Sequence, residues 1–461
     1  MPRPGRWCSG AFLRSTRVLG WVGSRSAASS SFPDGREADD GPAAFSVPST
    51  FFFVISCVEV LNWCLTLATY ENAWDDVARD IKSGLVRPRK IEAESIMIAD
   101  HRRARLIEAM AQADLDVLLI YGNAWQIDYL RYATDFGILE GQALALVCND
   151  GHITLYLDSP LEVDRAELDC SGVDVIYAPD LIAEVDHALD RLRTRRIGTA
   201  PQRLLPRRIA CRAKALNLSD QTSLVDRLLM GKMESEIAAI RRAAKVADEG
   251  YRVFMNAARP GRADYELIAE VEAFFRANGV DDNFQIIGVG GVEVRGMTPP
   301  GGKRLKRGDL VTTELTPCVD GYYAQICRTL VIGEPTAEQR AAHALYREAM
   351  EAGIAAVRDG VIAADIARAE NDVFRKHGLG EYTTSEYTRV RGHGMGLFAD
   401  SKPHLLENVT TQIDVGMALI VHPNTYHPAV GYLVIGDAVI VTKDGCEVLT
   451  GIPRELFSVP G

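Results

Sequence analysis

The residues best suited to chemistry gather in the C-terminal half of the sequence. RGDLVTTELTPCVDGYYAQICRTLVIG (307–333) carries Glu314, Gln325, Cys327 and Arg328 on two apolar runs either side of Asp320-Gly321. Gln325 and Cys327 are two apart, so on a strand they face one side while Arg328 faces the other. GHGMGLF (392–398) offers His393 between glycines, which let a ligand come close to the backbone. HPNTYHP (422–428) adds His422 and His427, and four of the nine histidines (these three and His404) fall within 35 residues. A carboxyl, several imidazoles and a thiol are the groups of acid–base catalysis, metal binding and nucleophilic catalysis. Arg295, Arg328, Arg389 and Arg391 each carry the planar fork that suits a substrate carboxylate.

These side chains need strands and helices to hold them. ESEIAAIRRAAKVADEGYRVFMNA (234–257) has the apolar spacing of a long amphipathic helix, stopped by Pro260-Gly261, and a second helix is predicted over 263–279. FQIIGVGGV (284–292) reads as a strand. Its glycines suggest a phosphate cradle, but no helix start follows. Residues 307–333 read as a hairpin, followed by helices over about 337–358 and 362–377 and by strands in 417–426 and 432–442. The irregular alternation predicts an α+β domain with a curved, mainly antiparallel sheet. Upstream, a helix over 96–116, a buried strand over 115–122 and a hairpin about Asn149-Asp150-Gly151 open an α/β domain of roughly 150 residues, with two further strands at 173–178 and 195–200. It has no phosphate loop and no dinucleotide fingerprint after a strand.

Composition narrows the classes. The 461 residues carry 51 Lys plus Arg against 62 Asp plus Glu, a net charge of −11, which argues against nucleic acid as a partner. The nine cysteines form no C-x-x-C pair, which fits a reducing compartment rather than a disulfide scaffold. Residues 1–33 are rich in Arg and Ser with no acid, like a transit peptide, and 51–68 are apolar but interrupted by Glu59 and Asn62. Residues 1–69 are therefore expected to be a leader or an over-extended start, with a targeting or anchoring segment as the alternative. A domain over 70–228 and one over 229–461 are expected to carry the fold. The folded body is expected to be cytoplasmic and without a membrane partner.

Residues 229–450 resemble the pita-bread domain of the creatinase and Xaa-Pro peptidase family. The resemblance rests on GKMESEIAAIRRAAKVAD, RGDLVTTELTPCVDGYYAQICRT, RGHGMGLFADSKPH and GMALIVHPNTYHPAVGYLVIGDAVIVTKDGCEVLT, in that order. Residues 96–228 then resemble the creatinase-type N-terminal domain. The resemblance implies a pita-bread catalytic domain behind that domain, a small-molecule substrate and a homodimer. Metallopeptidases of the family hold two ions with two aspartates, a histidine and two glutamates. Those positions fall here on Glu314, Gln325, His393, His422 and Gly436, so three of five have lost the carboxylate. Two dications close together need several carboxylates, and the dinuclear site is expected to be gone. The family's substrate-side histidine falls on Met297, and the carboxylate of creatinase's ligand strand falls on Cys327.

Three readings follow. In the first, a hydrolase cleaves an amide or amidine-type C–N bond in a small molecule without metal, as creatinase does. Cys327 is then a thiolate activated by His393 or His422, and Gln325 is an oxyanion donor. In the second, an Xaa-Pro-type metallopeptidase holds one Fe, Mn or Zn ion on Glu314, His393 and His422, a two-histidine, one-carboxylate set. In the third, the pocket binds a ligand without chemistry. Arg295, Arg328, Arg391, His404 and His427 are the candidate substrate contacts.

Overall fold

A computed structural model describes residues 93–461, so the expected leader over 1–69 lies outside the described residues. The N-terminal part runs α1 (Ala93–Gln112), β1 (Val117–Asn123), α2 (Asp128–Thr134), β2 (Gln142–Cys148), β3 (Ile153–Leu157), α3 (Pro160–Asp169), β4 (Asp174–Tyr177), α4 (Leu181–Arg191), β5 (Ile197–Ala200), α5 (Arg207–Ala215), β6 (Ser219–Asp220) and α6 (Thr222–Met230). Its six strands form one mixed sheet in the order β4-β3-β2-β1-β5-β6. The expected hairpin at Asn149-Asp150-Gly151 is present, with Gly151 at φ +94°, which a glycine adopts without the penalty of a Cβ. Helices α2, α3, α5 and α6 were not read from sequence.

The second part opens with α7 (Glu234–Ala257), whose buried stripe includes Ile237, Ile240, Ala244, Ala247, Tyr251 and Phe254. These sit three or four residues apart, one stripe of a 3.6-residue helix. α8 (Asp264–Ala277) follows, then β7 (Asp282–Gly290), β8 (Leu310–Val319), β9 (Tyr322–Tyr323) and β10 (Ile326–Ile332). α9 (Ala337–Ala356) starts at Thr336, whose hydroxyl accepts from the Gln339 amide while the Gln339 side chain accepts from Thr336 N–H, a reciprocal cap. α10 (Ala363–Lys376) precedes β11 (Gly392–Gly394), β12 (Ser401–His404), β13 (Ala418–Val421), β14 (Thr425–His427), β15 (Gly431–Leu433), β16 (Asp437–Val441), β17 (Cys446–Val448) and β18 (Phe457–Val459).

Two five-stranded sheets result, one ordered β18-β10-β8-β7 with β9 against β8, the other β12-β11-β13-β16-β17. The α+β expectation holds. The sheets are joined where Cys327 and Gly436 exchange backbone hydrogen bonds of 3.2 and 3.0 Å. That junction brings residues from the two halves of the domain to one place.

Candidate active site

Strand pairing sets the first three groups. Cys327 on β10 lies directly opposite Glu314 on β8, so the two side chains share a face. Gln325, just before β10, is on that face too, and its Nε2 donates to Cys327 Sγ at 3.3 Å. The second sheet supplies the imidazoles. His393 on β11 and His422, just after β13, are both buried, with ring centroids 5.5 Å apart and ring planes near perpendicular. Glu314, Gln325, Cys327, His393 and His422 therefore gather at the junction of the sheets.

Electrostatics define their states. Burial pushes the Glu314 carboxyl up to about 7, against hydrogen bonds from Asn424 and Cys327 that favour the anion. Burial lowers His422 to about 3, helped by neighbouring His393, and lowers His393 as well. Both rings are thus neutral at neutral pH. His393 Nδ1 lies 3.0 Å from the Gly394 carbonyl, which only accepts, so Nδ1 carries the proton and Nε2 keeps its lone pair. His422 Nδ1 is buried with no hydrogen-bond partner. A polar atom left so in a site is costly unless a ligand or water meets it.

Sequence reasoning missed three neighbours. Asn424 donates to Glu314 Oε1 at 2.8 Å. Asp400 accepts from His404 Nε2 at 3.1 Å, lies 3.8 Å from His393 Nδ1 and pairs with Arg389 at 2.5 Å. Burial works to raise Asp400, but His404, His393 and Arg389 prevail and hold it well below the usual carboxylate range. Tyr432 packs with Met297 against the apolar cluster of Cys327, Met395, Ile420, Val434 and Ala438. Asp400 stands seven residues after His393, in the loop that follows β11, and Asn424 two residues after His422, so neighbourhood in sequence was the available signal.

The candidate substrate contacts divide. Arg295 is exposed, with its guanidinium 5.1 Å from the Tyr426 ring centre, open to a ligand. His404 faces Asp400, and His427 is half-buried with Nδ1 accepting from Ala429 N–H. Arg328 is corrected from a substrate group to a structural one. It is fully buried, its Nη2 binds Asp437 at 2.7 Å, and it donates to the carbonyls of Cys327, Gly436, Ile452 and Pro453. Arg391 is also removed from the substrate set: it is 1% exposed, donates to Asn371 Oδ1 at 2.6 Å and lies over Phe374.

The thiolate expected at Cys327 is corrected as well. Burial pushes this thiol well above its ordinary value, and the Glu314 charge beside it adds to the rise. A protonated, buried thiol is a poor nucleophile. In native protein at pH 8, iodoacetamide is expected to label exposed Cys211 and spare Cys327. Peptide mass spectrometry checks this, and rapid labelling of Cys327 restores the nucleophile.

Glu314 also sets a pH term. Its folded pKa lies above that of a free carboxyl, so protonation favours the fold. That contribution is complete below about pH 4, where unfolded glutamate is protonated too, and is lost as pH rises through about 7. The stability difference between wild type and Glu314→Gln, from urea titrations, is expected to turn against wild type between pH 5 and pH 8. A difference that does not change with pH contradicts the shift.

Paired mainly antiparallel sheets behind an α/β domain, with carboxyl and imidazole groups at their junction, are the architecture of the pita-bread class. The chain belongs to the creatinase and Xaa-Pro peptidase family: residues 238–443 match metallopeptidase family M24 and residues 102–230 match the creatinase/prolidase N-terminal domain. An uncharacterized peptidase of Bacillus subtilis, YqhT, is 24% identical over 361 residues, 77% of this chain and 98% of that protein. The Xaa-Pro dipeptidase of Pyrococcus horikoshii is 30% identical over 230 residues, which span 49% of this chain and 64% of that one. Among solved structures, X-Pro aminopeptidase from Thermotoga maritima superposes with a TM-score of 0.70 at 22% identity, over 77% of this chain and 99% of its own. Xaa-Pro dipeptidase from Bacillus anthracis gives 0.67 at 26%, over 78% and 100%.

The metals of the family can be tested against these residues. Two ions do not fit. Gln325 is neutral, and Gly436 brings no side chain; a Cβ there would lie 2.6 Å from His422 Cβ and 3.2 Å from Cys327 Sγ. One ion fits in donor chemistry, since Glu314, two neutral imidazoles and an unpartnered His422 Nδ1 are suitable ligands. Among the described residues, however, no three His, Cys, Asp or Glu side chains already converge as a metal-holding group. Nor is any described helix long and apolar enough to cross a membrane.

Proposed function

We propose that this chain hydrolyses an amide-type C–N bond in a small substrate of the Xaa-Pro kind. The observation that carries the reading is Glu314, a buried carboxyl raised to about 7 and hydrogen-bonded by Asn424, at the sheet junction that also carries two buried neutral imidazoles. Such a group is poised to take a proton from water and return it to a leaving nitrogen. The neutral His393 Nε2 and His422 Nδ1 orient water or substrate. Arg295, exposed over Tyr426, offers a fork to a substrate carboxylate. Glu314, His393 and His422 are the groups that would hold a single divalent ion, which when bound would polarise the scissile carbonyl. The relatives named Xaa-Pro dipeptidase and X-Pro aminopeptidase support the substrate class. We include the homodimer in this proposal, to be checked by light scattering.

The lost carboxylates at 325, 422 and 436 favour a second reading, creatinase-like hydrolysis of a small nitrogen compound without metal. One experiment separates the two. Purified protein is analysed for metal and assayed with Ala-Pro, Met-Pro, creatine and simple amides, with added Mn, Co or Zn and with chelator. Turnover of a Xaa-Pro dipeptide is expected, with at most one ion per chain. Turnover of creatine or an amide that survives chelation supports the second reading. No turnover anywhere leaves a binding protein and sinks both.

A further inference from the structure

We infer that Asn424 is the positioning residue of this site: its amide fixes the Glu314 carboxyl in the orientation in which it meets substrate. This inference rests on the role proposed above for Glu314. Asn424 is 2% exposed, and both ends of its amide are engaged. The Ile435 backbone N–H donates to Asn424 Oδ1 at 3.1 Å. A backbone N–H has no other role to play, so the oxygen must point to Ile435 and the nitrogen elsewhere. Nδ2 therefore points to Glu314 Oε1, 2.8 Å away, and that carboxyl oxygen is an acceptor. Turning the amide over would set nitrogen against N–H and oxygen against the carboxyl, leaving buried groups unsatisfied.

The backbone of Asn424 is anchored too. Its carbonyl accepts from the buried Arg391 Nη1 at 3.4 Å, and Arg391 also accepts from His422 N–H through its own carbonyl at 3.0 Å. Asn424, His422 and Arg391 thus move together. On the other side, the Cys327 thiol hydrogen-bonds to Glu314, and Gln325 holds that thiol. Glu314 is clamped from two sides, by Cys327 across its own sheet and by Asn424 from the loop after β13, and Asn424 is the half of the clamp whose direction is dictated by the backbone.

Asn424→Asp tests this. It keeps the shape and the oxygen facing Ile435 but replaces the N–H donor by an oxygen. With a substrate that wild type turns over, kcat is expected to fall about 100-fold, the scale of a misplaced reacting group, with KM within about threefold of wild type. Asn424→Ser serves if the aspartate variant does not fold. A readout without substrate accompanies it: the Glu314 carboxyl band in the infrared, isolated as wild type minus Glu314→Gln, is expected to shift when Asn424 is replaced by Ser. Unchanged kcat, or an equal loss shared with KM, overturns the positioning role. An unmoved carboxyl band overturns it whatever the activity. If wild type turns over nothing but the band shifts, the clamp stands and the proposed hydrolysis falls.

Discussion

Glu314→Gln is expected to lower kcat by about 10²- to 10⁴-fold, the range lost with a general acid–base. Glutamine keeps the length and can still accept a hydrogen bond from Asn424, but it neither takes nor gives a proton. Substrate affinity therefore changes much less than turnover. The pH profile carries the second half of the prediction. In wild type, kcat/KM rises as Glu314 loses its proton, with a midpoint near the raised value of about 7, while His422, lowered to about 3, stays neutral across the profile. In the glutamine variant the limb near 7 disappears. A variant retaining a tenth or more of wild-type kcat, or an unchanged limb, would falsify the role of Glu314.

The second large effect concerns stability. Arg328→Leu is expected to destabilise the fold by about 3–5 kcal/mol, the cost of breaking a buried pair from one side. Asp437 is left 1% exposed with Arg454 as its remaining cation, and carbonyls of Cys327, Gly436, Ile452 and Pro453 each lose a donor. Two of those carbonyls belong to the bridge that joins the sheets, so the active site loosens with the fold. Denaturant titration measures the loss; a value below about 1 kcal/mol contradicts the structural role.

What was legible in the sequence follows the range of the interactions. The α7 stripe and the β2–β3 hairpin are local, written in residues three, four or two apart. Glu314, His393 and His422 stood out by residue type, the family resemblance set them in one site, and alternation placed Gln325 and Cys327 on one face. Asn424 did not stand out, because its partner Glu314 is 110 residues away. Arg328 was misread for the same reason, since the buried Asp437 that neutralises it is 109 residues off. Cysteine at 327 gave a residue type but not the burial that keeps its proton on. Helix α5, RRIACRAKA, buries only Ile209 and Ala213, too sparse an apolar face to announce itself.

The crowding at Gly436 limits which side chains that position accepts. A carboxylate side chain does not fit at that position as it stands, because the His422 Cβ, the Val421 carbonyl and the Cys327 thiol lie 2.6, 3.1 and 3.2 Å from where its first carbon must go. Any side chain introduced at 436 meets the His422 Cβ before it can serve as a ligand. A two-ion centre of the family's kind would need carboxylates at 325, 422 and 436 together, since each of these positions lacks one here. The bare backbone at 436 is thus what lets the two sheets pair through Cys327 and Gly436 directly beside His422, so the junction is closed by the space a side chain would have filled.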